Sequence, residues 1–263
     1  MRIRKISLII LSLLLSAVLL LSGVMIWREL SDRQKDIDNF NQLAELVTPE
    51  ESGPEPSADS STGQASQEDE NESDAADDPP RVRNLAPLFA QNSECIGWVC
   101  IPDTEVDYPV MHTPENPQKY LRLNFSGEYS VSGVPFLDGR CSLDRDHLII
   151  YGHNMKNGTM FGTLKRYMGQ DYLLEHPFIE FETETGCVQY EVFAVAVVDK
   201  TDAWYHFIEA GSEAAYEEQI AYIRGKALLT TKTVPAYGQQ LLTLSTCYGS
   251  GSDSRLIVIA VAN

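Results

Sequence analysis

Two short segments carry side chains that could do covalent chemistry. LLTLSTC ends on Cys247 directly after a run of buried-strand character, and YGHNM places His153 two residues after another such run, LIIY. Side chains at strand ends are fixed by the sheet yet open at its rim, so a nucleophile and its proton partner can be rigid and reachable together. Arg255 follows Cys247 by eight residues and opens the last apolar run, RLIVIAVA. If the two final strands are neighbours joined by YGSGSDS, Arg255 returns to the side of Cys247. A cysteine attacks as its thiolate, and a nearby imidazolium or guanidinium favours that charged form. A fixed guanidinium can also donate to the oxyanion formed when a thiolate adds to a carbonyl. The plain alternative is that Cys247 is a small buried hydrophobe, as lone cysteines commonly are.

The elements that must position these residues are short strands. Segments 98–101, 106–110, 134–137, 148–151, 178–181, 188–198, 241–244 and 256–261 give eight candidates, rich in Val, Ile, Leu and aromatics and punctuated by Pro and Gly. That pattern predicts a mainly β chain closed as a barrel or sandwich. One window in this half is helical, 212–228, with Ser212 as its N-cap, Glu213 in its first turn and Tyr216, Ile220 and Ile223 along one face. Segment 85–91 can form one short helix before the strands begin.

Upstream, the composition changes twice. Residues 6–27 hold no charge, and at ~1.5 Å per residue a helix of that length reaches roughly 33 Å, a hydrocarbon core. Arg2, Arg4 and Lys5 precede it, so the positive-inside rule puts residues 1–5 in the cytoplasm and everything after Trp27 outside. This predicts a single-pass signal-anchor in the cell membrane with an extracellular domain, a cleavable signal peptide being the alternative. Residues 28–47 repeat apolar side chains every three to four positions (Ile37, Phe40, Leu43, Leu46 or Val47) and read as a juxtamembrane helix, loosely held as a stalk. Of the 38 acids in this 263-residue chain, 11 fall between 48 and 80, a stretch without Lys or Arg. So few apolar side chains cannot offset the entropy of ordering, and 48–80 reads as a disordered, self-repelling linker ahead of a domain over 81–263. A net charge of −18 with no basic stripe argues against nucleic acid.

Cys95, Cys100, Cys141, Cys187 and Cys247 are odd in number, so at least one thiol stays free, and the pairing of the other four is left open. No second Cys or His pair completes a zinc site with Cys95 and Cys100. His112, His147, His176 and His206 read as structural or exposed.

TLSTC with a downstream Arg, YGHNM followed by GTMFGTL and a Tyr, and the earlier GWVCIPDTEVDYPV and KYLRLNF together resemble a class B sortase, over roughly 85–263. The resemblance implies an eight-stranded barrel with an N-terminal helical segment and a long helix between the sixth and seventh strands, where 212–228 falls. It implies a cysteine transpeptidase in which Cys247 attacks the Thr carbonyl of a C-terminal sorting signal of Pro-x-Thr type. His153 would move the protons and Arg255 would hold the carbonyl oxygen. The acceptor would be an amine of a peptidoglycan precursor, or a pilin lysine. Ser245, Leu121 and Asn116 match places near the sorting-signal groove, with core packing the equal alternative for Leu121. Some relatives carry an acid just after the cysteine, where this chain has Tyr248 and Gly249; nearby Asp253 reads as a solvated loop residue. No metal or organic cofactor is implied. Two rivals are an L,D-transpeptidase-like enzyme, whose Ser-x-Gly-Cys context fits STC poorly, and a barrel that binds wall peptides without turning them over.

Overall fold

The computed structural model describes residues 2–47, 82–249 and 253–263, without the side chains of 2–14, 29, 32 and 33. The expected acidic linker, 48–80, lies outside the described residues. Among the described residues the α-helices are α1 (Arg2–Val47), α2 (Ala86–Gln91), α3 (Gln170–Glu175) and α4 (Glu213–Lys226). The strands are β1 (Cys95–Cys100), β2 (Asp107–Met111), β3 (Phe136–Leu137), β4 (His147–Tyr151), β5 (Phe178–Thr183), β6 (Gly186–Asp199), β7 (Ala227–Thr230), β8 (Leu241–Cys247) and β9 (Ser254–Ala262). Their order is β5-β1-β2-β3-β4-β8-β9-β6-β7, and β5 pairs again with β6. Eight strands therefore close into a barrel, as the strand pattern implied, and β7 stands outside it.

Closure explains the burial along β8. Leu242 and Leu244 point into the barrel with Leu148, Ile150, Val258 and Ala260. On the opposite face Leu241 joins Ile149, Ile257, Ile259, Trp204, Phe207 and the α4 side chains Tyr216, Ile220 and Ile223. A strand covered on both faces shows a near-continuous apolar run instead of alternation, which is what LLTL displays. Pairing between β4 and β8 is parallel, so the chain must cross over between them, and β5, β6, α4 and β7 make up that crossover.

Ser212 caps α4 as expected, its hydroxyl accepting from the Ala215 N–H at 3.3 Å. Glu213 in the first turn and Arg224 and Lys226 in the last complement the helix dipole. The helix ends at Lys226, two residues short of the sequence expectation, and Ala227–Thr230 pairs with β6 as β7. Ala and Leu at 227–229 favour a helix locally; the open edge of β6 offers ladder hydrogen bonds that override them.

The second half of α1 is docked, not a free stalk. Phe40, Leu43 and Val47 are buried in the core, Phe40 stands edge-on to Tyr108 with ring centres 5.1 Å apart, and buried Asp36 accepts from the Ser130 hydroxyl at 2.8 Å. The single-pass anchor, and the membrane localisation drawn from it, need correction. Among the described residues no helix is long and apolar enough to cross a membrane. The side chains of 6–14 are outside the described set, and 15–27 alone would reach only about 20 Å of a ~30 Å hydrocarbon core.

All five cysteines are free thiols. Cys100 pairs with Glu180 across to β5, and Cys187 pairs with Glu182 from the other side. Two strand spacings of about 4.8 Å each separate β1 from β6, beyond the ~7 Å Cα distance that a disulfide tolerates.

His147 is fully buried beneath Trp204. Its Nδ1 lies 2.6 Å from the Phe207 carbonyl and its Nε2 2.7 Å from Thr243 Oγ1, which also accepts from the Trp204 indole at 3.1 Å. A neutral ring protonated at Nδ1 satisfies all three contacts, with the Thr243 hydroxyl donating to Nε2, and burial favours that state over the charged one. Burial holds its pKa down to about 4 against the Phe207 carbonyl and Asp138, which favour the charged form, while Arg140 opposes it. Between pH 6.5 and 4 the unfolded chain therefore binds a proton that the folded one refuses, and stability falls with falling pH by on the order of 3 kcal/mol. Urea unfolding across this window should show that slope, and His147→Gln should flatten it.

Candidate active site

Cys247 is the last residue of β8 and is exposed. The β8–β9 register sets it opposite Arg255. Tyr248 N–H donates to the Ser254 carbonyl at 3.0 Å, so Tyr248 and Ser254 form a hydrogen-bonded pair and Cys247 and Arg255 the non-hydrogen-bonded one. In such pairs the two side chains share a face at their closest approach, with Cα atoms about 4.5 Å apart. The hairpin inferred from eight-residue spacing thus brings Arg255 back directly opposite Cys247. Among the described residues that guanidinium makes one hydrogen bond, from Nη1 to the Ser254 carbonyl at 3.0 Å.

The other neighbour of β8 supplies the histidine. Gly152 N–H donates to the Ser245 carbonyl at 3.1 Å, Thr246 Oγ1 donates to the Gly152 carbonyl at 2.7 Å, and Asn154 Nδ2 donates to the Cys247 carbonyl at 2.8 Å. His153, between these anchors, is held at the same end of the barrel as Cys247. Its Nε2 lies 2.8 Å from the Leu121 carbonyl. A carbonyl only accepts, so Nε2 carries the proton and Nδ1 is left with its lone pair. Burial lowers the His153 pKa, opposed by the Leu121 carbonyl and assisted by Arg122. Burial thereby favours the neutral ring, whose Nδ1 then offers a lone pair.

The segment after His153 is built to hold it. The Phe161 ring lies over Gly152, where a Cβ would come within 2.6 Å of it, so a side chain there would displace the loop. Phe161 N–H donates to the His153 carbonyl at 2.9 Å. Met160 adopts a left-handed φ of 55°, and its N–H is taken up by the Tyr108 hydroxyl at 3.0 Å. The spacing of GHNM and MFG records these contacts.

The other candidate residues are placed differently. Leu121 contributes its carbonyl to His153 and a half-buried side chain to the core edge. Ser245 is buried, and its hydroxyl meets that of Tyr205 at 2.8 Å. Asn116 is exposed in the loop after β2, its main chain closing a turn with Thr113. Asp253 pairs with Lys200 at 2.9 Å, as suits an exposed loop acid.

Tyr205 is a further neighbour of the site, and nothing in its local sequence sets it apart. Its phenol stacks at 25° on Tyr151 and stands within electrostatic reach of Arg255 and Cys247; burial above all pushes its pKa up to about 12. Its neighbours come from β4, β8 and β9, distant in sequence, so no local signal could have singled it out.

A thiol, an imidazole and a guanidinium at one end of an eight-stranded barrel are the groups that cysteine acyl transfer calls for. The sortase domain family matches residues 99–263, and the chain belongs to the sortase family, within it to class B, whose members are cysteine transpeptidases. It is 35% identical over 167 residues to sortase B of Listeria monocytogenes, covering 62% of this chain and 66% of that one, so the match spans just under two thirds of that relative's length. Sortase B of Bacillus anthracis in complex with AAEK1 superposes with a TM-score of 0.69 at 26% identity, covering 89% of this chain and 98% of that one. A Staphylococcus aureus sortase B–substrate complex gives a TM-score of 0.64 at 26% identity, covering 68% and 84%.

Proposed function

We propose that this chain cleaves a C-terminal sorting signal after Thr, in a Pro-x-Thr context, and transfers the acyl group to an amine of a peptidoglycan precursor or, alternatively, a pilin lysine. The observation that carries the proposal is the pairing of exposed Cys247 with Arg255 on β9 and, through Asn154, with the His153 loop on β4. The Cys247 proton passes to His153 Nδ1 as the sulfur adds to the Thr carbonyl, and Arg255 donates to the resulting oxyanion. Collapse expels the amine, which takes the proton back from His153 and leaves a thioester. The acceptor amine then adds to the thioester, giving its proton to His153, and the Cys247 sulfur departs and takes that proton back, which restores the thiol and the neutral imidazole. Support for the two substrate classes comes from relatives, since one solved sortase B holds a substrate and another is complexed with triglycine, a peptide with a free amine.

Mass spectrometry tests this directly. Mixing the full chain with a library of Pro-x-Thr peptides should give an adduct on Cys247 and free the segment after Thr; adding triglycine should then yield a Thr–Gly bond. Failure of every such peptide to acylate Cys247 overturns the proposal.

A further inference from the structure

We infer that Asn154 is a positioning residue that fixes the reactive end of β8 by holding the Cys247 carbonyl. The inference deepens the proposed transpeptidase reading and rests on it for its catalytic consequence. In the parallel β4–β8 ladder, the register runs from His147 opposite Leu241 to Tyr151 opposite Ser245. Gly152 N–H supplies the last main-chain rung, to the Ser245 carbonyl. The next rung falls two residues further along both strands, at 154 and 247, and there a side chain replaces the main chain: Asn154 Nδ2 donates to the Cys247 carbonyl at 2.8 Å. The substitution lets the backbone at His153 leave the ladder and carry its imidazole over to the Leu121 carbonyl, while β8 keeps a hydrogen bond two residues further along.

The consequence is local and geometric. The peptide between Cys247 and Tyr248 is gripped at both ends, its C=O by Asn154 and its N–H by the Ser254 carbonyl at 3.0 Å. That peptide plane sets the backbone torsion of Cys247 and so steadies the Cα–Cβ bond from which Sγ is carried, in a strand whose pairing ends there. Asn154 is in turn fixed, since it bridges to Met160, whose N–H is held by Tyr108. An asparagine is suited to this because it offers a neutral donor; an aspartate of the same shape would set an acceptor against a carbonyl and an anion beside the thiol. Alignment within a fraction of an ångström is what converts an available nucleophile into a fast one.

Asn154→Ala and Asn154→Asp test the inference in the full chain. Amide hydrogen exchange at Tyr248, read by NMR, should quicken at least about tenfold in both. With a Pro-x-Thr peptide that the wild type cleaves, kcat should fall about tenfold in Asn154→Ala and further in Asn154→Asp, with KM within twofold. Alkylation of Cys247 by iodoacetamide should stay within twofold in Asn154→Ala, because a small reagent needs an exposed thiol and not an aligned one. Thermal midpoints should move little, since the bond is exposed; if the alanine variant folds poorly, Asn154→Ser gives the same readings with a polar side chain kept. Unchanged Tyr248 exchange overturns the anchor, and quicker exchange with unchanged kcat overturns its role in turnover. A wild type that acylates with no sorting peptide defeats the proposed function instead, and the exchange arm still decides whether Asn154 holds the strand end.

Discussion

Cys247→Ala is expected to abolish both cleavage and transfer, by roughly four orders of magnitude or more in kcat, the scale on which loss of a nucleophile acts. The fold should survive it. The side chain is exposed at a strand end, so truncation opens no cavity, and surface changes of this kind stay within about 0.5 kcal/mol. No other thiol can take over. Cys95, Cys100 and Cys141 are buried, and burial pushes their pKa values up to about 11, 12 and 11. Cys187 is only half-buried, yet burial, with Glu180 and Glu182 beside it, pushes it up to about 12. Four of the five sulfurs are therefore protonated and inert near neutral pH. Peptide cleavage assays alongside thermal melts of the full chain make the comparison. Retained turnover of any sorting peptide in the alanine variant would remove Cys247 from the mechanism.

How far this site could be read in advance depended on how local its contacts are. Arg255 was legible because one hairpin joins it to Cys247, and a short loop between two apolar runs fixes which side chains face each other. His153 was legible only as a strand-end histidine; its neighbourhood to Cys247 depends on the parallel β4–β8 pairing, which no spacing reveals. Asn154 sat in plain view in YGHNM, but its partner is a main-chain carbonyl 93 residues away, and sequence carries no trace of a backbone acceptor. The strands were found because turn residues bound them, whereas β7 was missed because four residues of Ala, Leu and Thr after a helix look like more helix until an open strand edge claims them. The apolar stripe of α1 illustrates the same limit. Phe40, Leu43 and Val47 recur with the same period whether the helix stands free or packs on the barrel, and tertiary contacts such as Phe40–Tyr108 and Asp36–Ser130 decide between the two.

Arg255→Lys separates geometry from charge at the proposed oxyanion position. Lysine keeps the positive charge but replaces a planar fork of donors with a single flexible ammonium. If the guanidinium stabilises the oxyanion by pointing fixed N–H groups at it, kcat/KM should drop by on the order of 10²-fold or more, as when one such donor is lost. If charge alone matters, the lysine should preserve nearly normal rates. A structural role makes a third, distinct forecast, since loss of an arginine that braces the fold would lower the thermal midpoint while activity per folded molecule persisted. The contacts argue against that outcome. Among the described residues the only hydrogen bond of the guanidinium runs to the carbonyl of its own neighbour, Ser254, and the β8–β9 pairing on which the hairpin depends is made by main chain. A side chain so lightly committed to the fold has most of its donors left for a substrate carbonyl, and it stands directly across the strand pair from the sulfur that would attack that carbonyl.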